Sequence, residues 1–491
     1  MSTEAYFEPY RRNIVGHDQE FDTPYGRKRL IYADWIASGR LYGPIEERLA
    51  HTFGPFVGNT HSESSVTGTS MTHAYHEARA IIKRHVNAGP NDVIIAAGSG
   101  MTGVINKLQR ILGLRVPERL MDQVTVPKAE RPVVFLTHME HHSNQTSWLE
   151  TLADVEWLDP LPNGECCLQT LANATRKFAG RPLIGSFTAC SNVTGVRTPY
   201  HKMARIMHEA GGLCFVDFAA SAPYDPIDMH PGDPAERLDA IFFSPHKFLG
   251  GPGSAGIMVF DASLDRNRVP DHPGGGTVDW TNPWGEHRFV DNIEDREDGG
   301  TPGFLQTMRA ALAIRVKEEI GCEAIHQREK ELLDRAFEGM GAIPGLVILA
   351  EHLRDRLGVI SFYLEGIHYN LVVKMLNDRF GIQVRGGCSC AGTYGHYLLH
   401  VDPEHSHSIT ERIDQGDLSA KPGWVRLSLH PTMTDAELDT VIEALGDIAE
   451  NIESWEQDYR YDSHTNEYVH RNEVPLQVKP WFDLRSPVEA V

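Results

Sequence analysis

The sequence predicts an α/β fold on a mainly parallel sheet, together with a smaller C-terminal α/β domain. Short apolar runs alternate with helical patterns between about residue 90 and residue 260. Runs that are apolar at successive positions are typical of strands covered by helices on both faces. The predicted strands are residues 93–96, 133–136, 183–187, 213–216 and 241–243. Ligands of such sheets bind where the carboxyl ends of the strands lead into loops, so we expect the functional residues there.

The length of 491 residues predicts two domains, and the pattern changes near residue 303. Further helices are predicted at residues 103–112, 201–210 and 305–319, and further strands at 346–349 and 359–362. Residues 113–130 and 261–298 are predicted to be loop insertions. We expect an N-terminal segment that packs with the small domain, a large domain, the small domain and a tail of unassigned role, at residues 1–40, 41–302, 303–455 and 456–491.

The composition is that of a globular enzyme, with 41% hydrophobic and 23% charged residues. A net charge of −21 argues against nucleic-acid and anionic-membrane partners, because binding to them depends on an excess of cations. The N-terminus has no basic start followed by an apolar run, and no apolar stretch is long enough to span a bilayer. Seven cysteines without framework spacing favour free thiols in a reducing cytoplasm.

The most informative motif is the turn Ser244-Pro245-His246-Lys247, which lies between two apolar runs and leads into a glycine-rich segment. A lysine held at a strand end can form a Schiff base with an aldehyde, because packing and neighbouring charge can lower the pKa of its amine. Ser244 and His246 are placed to bind the phosphate of the same ligand. The alternative is a surface lysine in a β-turn.

Two shorter motifs also follow predicted strands. Gly100, Met101 and Thr102 open a helix, and helix N-terminal amides with a threonine hydroxyl make a phosphate cradle. The alternative is a plain glycine turn with a helix cap. Asp217 ends a strand, where a carboxylate can pair with the protonated ring nitrogen of a cofactor. The other interpretation of Asp217 is a turn or cap residue.

The segment HMEHHSN at residues 138–144 suggests a metal site at first, because it contains three histidines and a glutamate. Its spacing fits neither the HExxH nor the HxxEH helix, and we predict no metal. The other interpretation is that His141 stacks on an aromatic cofactor ring and moves protons.

Two polar residues are candidates for binding a substrate carboxylate. Asn192 follows a predicted strand and offers an amide donor to a cofactor or a substrate, unless it only forms an Asx-turn. Arg426 lies within an apolar run. An arginine on a strand that faces a cleft suits bidentate binding of an α-carboxylate, and the alternative is a side chain that extends to solvent.

The second most informative motif covers residues 385–392, in which glycines flank Cys388 and Cys390. A cysteine on an exposed flexible loop can attack a substrate sulfur as thiolate and carry away a persulfide. The alternatives are a zinc site completed by His396 and His400, and a buried structural cysteine.

In this order, the motifs resemble those of the pyridoxal-phosphate (PLP) enzymes of the class V aminotransferase family, in its cysteine desulfurase-like branch. The similarity spans about residues 30–450 and includes shorter segments at residues 32–38, 59–62, 274–277 and 298–302. The resemblance implies PLP fold type I, with a seven-stranded sheet in a PLP-binding large domain. It also implies a homodimer with sites at the subunit interface.

The resemblance implies a role for each candidate residue. Lys247 would hold PLP as a Schiff base, Asp217 would pair with the pyridinium nitrogen, and His141 would stack on the ring as a catalytic group. Cys390 would be the persulfide nucleophile. Further cofactor contacts would come from Gly100, Met101, Thr102, Asn192, Ser244, His246 and Thr277, of which Thr277 would reach the partner subunit's phosphate. The substrate would contact Ala37, Asn192, Arg385 and Arg426.

The activity implied is removal of sulfur from L-cysteine or a related amino acid through a persulfide on Cys390, with a sulfur-acceptor protein as partner. A PLP-dependent C–S lyase, an epimerase or an aminotransferase of the same class is the alternative, and a scaffold without activity is a third hypothesis. The sequence departs from the family pattern at Ala220, where the family usually has glutamine, and at the additional thiol of Cys388.

Overall fold

The computed structural model describes residues 2–60 and 62–485. His61, part of the segment 59–62 of the resemblance, lies outside the described residues, as do Met1 and residues 486–491. Along the described chain the strands are β1 (Glu20–Thr23), β2 (Gly26–Arg29), β3 (Ile31–Tyr32), β4 (Asp92–Ala97), β5 (Val133–Thr137), β6 (Asp154–Leu158), β7 (Leu183–Thr188), β8 (Leu213–Asp217), β9 (Ala240–Phe243), β10 (Gly256–Asp261), β11 (Val278–Thr281), β12 (His287–Phe289), β13 (Leu346–Ile348), β14 (Val359–Leu364), β15 (Ile382–Gln383), β16 (Arg385–Gly387), β17 (Trp424–Ser428), β18 (Tyr459–Asp462) and β19 (Glu467–His470).

The α-helices of the described residues are α1 (Thr3–Arg12), α2 (Gly43–Glu47), α3 (Val66–His85), α4 (Met101–Ile111), α5 (His142–Leu149), α6 (Leu168–Lys177), α7 (Tyr200–Glu209), α8 (Ile293–Arg296), α9 (Phe304–Ile320), α10 (Cys322–Gly341), α11 (Tyr369–Phe380), α12 (Gly392–Leu398), α13 (Pro403–Asp414) and α14 (Asp435–Trp455). The helices predicted near residues 103, 201 and 305 are confirmed as α4, α7 and α9. No helix of the described chain combines the length and the apolar character needed to cross a bilayer.

The larger of two compact units consists of residues 36–326 and 355–357 and contains a seven-stranded sheet. The strand order is β4-β10-β9-β8-β7-β5-β6. Strands β6, β5, β7, β8 and β9 pair in parallel, and β10 is antiparallel to its neighbours β9 and β4. The prediction of a mainly parallel, seven-stranded sheet is confirmed. Because β4 and β9 are both antiparallel to β10, β4 ends at the same edge of the sheet as the parallel strands.

All five strands predicted in this unit are confirmed as β4, β5, β7, β8 and β9, whereas β6 and β10 of the same sheet were not among the predicted strands, although β10 coincides with an apolar run. Strand β6 lies at the edge of the sheet, and four of its five residues are only half-buried. An edge strand needs no continuous apolar run, and polar residues alternate with apolar ones in β6. The sequence pattern that reveals the central strands is therefore missing.

Helix α4 packs against the sheet through one apolar face. Val104, Ile105 and Leu108 recur at helical spacing, are completely buried, and belong to a cluster with Phe242 of β9 and Met258 of β10. Burying each of these side chains stabilises the fold by about 2 kcal/mol. This packing fixes the N-terminus of α4 at the edge of the sheet where β4 ends.

The second unit consists of residues 2–35, 327–354 and 358–485. It contains an antiparallel sheet in the order β13-β14-β17-β16, and β15 pairs with β3 in parallel. The strands predicted near residues 346 and 359 are confirmed as β13 and β14. The assignment of separate roles to the domains stays a prediction.

The predicted loop insertions and the tail contain short elements that the sequence did not indicate. Residues 261–298 include the hairpin β11–β12 and helix α8, and residues 113–130 include a 3-10 turn at Glu118–Gln123. The tail forms the hairpin β18–β19. The residues of β11 and β12 are exposed or half-buried, so these strands have no apolar run that could predict them.

Candidate active site

The loops after β4 and β9 meet at the edge of the sheet where the parallel strands end. The Ser244 hydroxyl accepts a buried hydrogen bond of 2.9 Å from the Met101 backbone N–H. A methyl group on Gly100 would lie 3.0 Å from Ser244 Oγ, which it would crowd, and 3.6 Å from the His246 ring, in ordinary contact. The structure thus brings together four residues predicted to contact a phosphate: Gly100, Met101, Ser244 and His246.

The first turn of α4 also contacts the loop after β5. The hydroxyls of Thr102 and Ser143 are 2.6 Å apart and share a hydrogen bond. His141 precedes α5 and caps it, because its Nδ1 accepts a hydrogen bond of 3.1 Å from the Ser143 backbone N–H. This bond places the ring proton of a neutral His141 on Nε2, which is then the nitrogen that can donate to a ligand.

Lys247 lies in the short 3-10 turn Pro245–Lys247 and is half-buried. Its backbone N–H bonds to the Ser244 carbonyl at 3.0 Å. The backbone N–H of Gly39 donates to the His246 carbonyl at 2.9 Å, and a methyl group on Gly39 would lie 2.0 Å from the Phe248 carbonyl oxygen. The segment that contains Ala37 is therefore held against the lysine turn by a close backbone contact.

Burial and charge set the protonation of the groups beside Lys247. Burial raises the pKa of Asp217 to about 6, although the Ala219 N–H, at 2.8 Å, and the Lys247 charge act in the opposite direction. Burial and the Lys247 charge lower the pKa of His246 to about 4. At pH 7 Asp217 is therefore mainly ionised, and His246 is neutral with one donor and one acceptor nitrogen.

Glu140 is a buried anchor between two strand-end loops, which the sequence did not single out. Its Oε1 accepts hydrogen bonds from the Thr137 hydroxyl at 2.7 Å and the Thr188 backbone N–H at 3.0 Å, and its Oε2 accepts one from the Asn144 amide at 2.7 Å. Burial raises the pKa of Glu140 to about 7, against these hydrogen bonds. Its signal in the sequence is only its position directly before His141.

Asn192 and Thr277 lie in loops of the same unit. Asn192 is buried in the loop after β7, where the Ser191 hydroxyl accepts hydrogen bonds from the backbone N–H groups of Val193 and Thr194. Thr277 is completely buried, and its hydroxyl donates to the Gly274 carbonyl at 2.6 Å. The roles of both residues stay predictions.

The second unit contains a separate cluster of charged residues around Asp34. Arg426 donates to Asp34 Oδ1 at 2.9 Å, and Arg385 donates to Asp34 Oδ2 at 3.0 Å. The two arginines are directly opposite each other in β16 and β17. Burial lowers the pKa of Arg426, although Asp34 opposes this effect. Two guanidinium groups and one carboxylate leave one positive charge, which suits a carboxylate ligand.

The cysteine loop, residues 385–392, belongs to the same unit. Cys390 is exposed, and both Ser389 and Cys390 adopt left-handed conformations, with φ of 53° and 56°. The Trp424 indole N–H donates to the Ser389 hydroxyl at 3.2 Å and holds the loop against β17. Exposure leaves the Cys390 thiol accessible to a second reactant.

His396, one ligand of the zinc alternative, is hydrogen-bonded through its ring in this structure. Both ring nitrogens of His396 form hydrogen bonds, one with the Gly392 carbonyl at 2.7 Å and the other with the Ser406 hydroxyl at 2.8 Å. Among residues 2–60 and 62–485, no three histidine, cysteine, aspartate or glutamate side chains converge in a way that could hold a metal ion.

Comparisons with known proteins identify the family. The Aminotransferase class-V family model matches residues 31–441. A probable cysteine desulfurase from Staphylococcus epidermidis is 30% identical over 370 residues, which cover 74% of this chain and 84% of the relative. A probable cysteine desulfurase from Staphylococcus aureus is 29% identical over 376 residues, which cover 75% and 85%. The chain therefore belongs to the class V aminotransferase family, whose members are PLP-dependent enzymes, and the resemblance is confirmed.

Solved structures agree on the fold. A cysteine desulfurase from Thermococcus onnurineus superimposes with a TM-score of 0.71 at 22% identity, covering 90% of this chain and 98% of the other. A cysteine desulfurase from Escherichia coli gives a TM-score of 0.69 at 20% identity, covering 92% and 99%. The prediction of PLP fold type I is confirmed by this likeness.

Proposed function

We propose that this protein is a PLP-dependent cysteine desulfurase-like enzyme that transfers sulfur from L-cysteine, or a related amino acid, to its own Cys390. The observation that carries the proposal is the group of Asp217, Ser244, His246 and Lys247 at the ends of β8 and β9. The names of the relatives support the reaction, and the exposed Cys390 supports a protein nucleophile.

The residues at the strand ends fit PLP. Ionised Asp217 would hold a proton on the pyridine nitrogen, and Lys247 would attach the aldehyde through its amine. Amides at the start of α4 and the Ser244 and His246 side chains would bind the phosphate. We assign the stacking contact to His141. The remaining contacts go to Gly100, Met101, Thr102, Asn192 and, from the partner subunit of a homodimer, Thr277.

PLP supplies a ring that stores the electron pair released at the α-carbon. Lys247 would take the α-proton and return a proton to the product. Arg426 and Arg385 would bind the α-carboxylate, with Ala37 and Asn192 beside the substrate. The Cys390 thiolate would attack the substrate sulfur, so that the carbon–sulfur bond breaks, a sulfur–sulfur bond forms and alanine leaves. A sulfur-acceptor protein, or a reductant in vitro, would then remove the sulfur.

The alternative is a C–S lyase, epimerase or aminotransferase that uses the same lysine and no protein thiol. Ala220 supports this alternative. It is buried and lacks the side-chain amide donor that the family usually has at this position. Cytoplasmic location and the homodimer remain predictions from the sequence, and sedimentation of the PLP-loaded protein would test the second.

The test is product analysis with PLP-loaded protein, L-cysteine and a reductant. We expect alanine and sulfide in equal amounts, a loss of both by about 100-fold or more in Cys390→Ser, and much smaller losses in the control Cys388→Ser. Lys247→Ala should lose the visible absorbance of bound PLP. Pyruvate and ammonia as products, or full activity of Cys390→Ser, would contradict the proposal.

A further inference from the structure

The C-terminal hairpin β18–β19 lies beyond residue 441, where the match to the family model ends. Its base is fixed by several contacts. The Tyr25 hydroxyl and Arg379 both donate to the Asp458 carboxylate, at 2.6 and 2.8 Å. The Arg379 guanidinium lies 4.0 Å from the Tyr25 ring centroid and 3.9 Å from that of Trp455, and the His470 ring packs edge-on against Tyr25. The hairpin is therefore an ordered part of its unit.

The turn of the hairpin places one buried side chain, Asn466, in a left-handed conformation with φ of 60°. Its amide nitrogen donates to the Tyr369 hydroxyl at 2.6 Å, and its Oδ1 accepts a hydrogen bond of 2.8 Å from the Tyr461 hydroxyl. Its backbone carbonyl accepts a hydrogen bond of 2.5 Å from the Asn370 side chain. Asn466 therefore bonds the first two residues of α11.

Those two residues also lie close to the backbone at the start of the cysteine loop. A methyl group on Gly423 would lie 2.6 Å from the Tyr369 ring and 2.9 Å from Gly387 Cα. A methyl group on Gly386 would lie 2.3 Å from Asn370 Oδ1 and 3.0 Å from the Tyr369 ring. Gly387 has a φ of 108°, which favours glycine, and Cys388 follows it directly. The backbone before the cysteines thus packs on the groups that Asn466 holds.

We propose that Asn466 is a positioning residue that sets the conformation of the cysteine loop through Tyr369 and Asn370. It bonds both side chains, and the backbone of Gly386 and Gly423 lies close to them. Without the Asn466 amide, the loop samples more conformations and presents Cys390 to the substrate less often. This inference rests on the proposed function for its effect on activity, but not for its effect on the Cys390 thiol.

The test compares Asn466→Gly with Asn466→Asp in the full-length, PLP-loaded protein. Glycine keeps the left-handed backbone and removes the amide, whereas aspartate tolerates that backbone and accepts a hydrogen bond from the Tyr369 hydroxyl. In Asn466→Gly we expect iodoacetamide to alkylate Cys390 about fivefold faster, the change that one ordinary hydrogen bond supports. We expect kcat for alanine formation to fall about tenfold, with KM and the PLP spectrum unchanged. Asn466→Asp should restore both rates.

Two controls separate this role from general stability. Thr465→Ala alters the exposed neighbour in the same turn and should leave both rates unchanged. Alkylation of Cys167, which lies in the other unit, should not respond to any of these variants. Unchanged Cys390 alkylation in Asn466→Gly, or equal effects of glycine and aspartate, would overturn the inference. Full activity of Cys390→Ser would instead overturn the proposed function and leave the alkylation result standing.

Discussion

The ionisation of Asp217 opposes folding. Its carboxyl is buried at the end of β8, and burial raises its pKa from 3.8 to about 6. A raised pKa means that the folded chain binds this proton more tightly than the unfolded chain. The resulting stability is present below about pH 4 and is lost as the pH rises through about 6. At pH 7 the ionised group costs the apoprotein about 3 kcal/mol, a cost that suits a partner for a cofactor cation.

We predict that Asp217→Asn raises the free energy of unfolding of the apoprotein by about 3 kcal/mol at pH 7.5, because asparagine stays neutral. At pH 5 the gain should be about half as large, because the folded carboxyl is then mostly protonated. Urea unfolding at both pH values measures the gain in the free energy of unfolding. An absorbance titration should show that the same variant binds PLP more weakly. The exposed Asp122→Asn is the control and should change neither quantity. A gain that is equal at the two pH values would rule out ionisation as its cause.

At the scale of elements, one buried and one partly exposed ion pair connect the insertion at residues 261–298 to helix α4. Lys107 donates to Glu297 at 2.7 Å, and both side chains are at most 3% exposed. Arg110 donates to both carboxylate oxygens of Asp271, at 2.6 and 2.9 Å. Thr277 lies in this insertion. The ion pairs therefore also hold the residue that we expect to reach the phosphate bound by the partner subunit.

Removing Lys107 alone should therefore destabilise the folded chain. We predict that Lys107→Met lowers the free energy of unfolding by about 3–5 kcal/mol, because it leaves the carboxylate of Glu297 buried without its cation. The double variant with Glu297→Leu should recover at least half of that loss in urea unfolding. If the double variant is as unstable as the single one, packing of the lysine side chain and not its charge is what stabilises the insertion.

At the scale of the whole molecule, cofactor binding and folding should be linked. PLP that binds only the folded chain raises the free energy of unfolding by about 2.7 kcal/mol at a concentration 100-fold above Kd. We predict a rise of the unfolding temperature that grows with PLP concentration in the wild type. In Lys247→Ala the dependence should move to higher concentrations, since the covalent attachment is lost. The same curve for both proteins would contradict the role of Lys247.

The sequence by itself predicted most of the central strands, the strand-end motifs and the family, because each depends on a local pattern. An apolar run, a glycine-rich turn and a lysine after a strand are readable within about ten residues. Hydrogen-bonded pairs between residues far apart in the sequence could not be predicted. Asp34 and Arg426 are 392 positions apart, and nothing in the apolar run around Arg426 indicates a carboxylate partner. For the same reason Glu140 was visible only as the neighbour of His141.

The C-terminal tail shows the same difference between what local sequence predicts and what the tertiary structure decides. Its strands are short and polar, and the sequence assigned them no role. Only the tertiary structure brings Asn466 to Tyr369, 97 positions earlier in the chain, and so links the tail to the cysteine loop. Local sequence decides which residues can form a strand end or a turn, and this is what predicted the class of cofactor. Which side chains then meet depends on how the elements pack, because burial and charge pairing are properties of the folded chain.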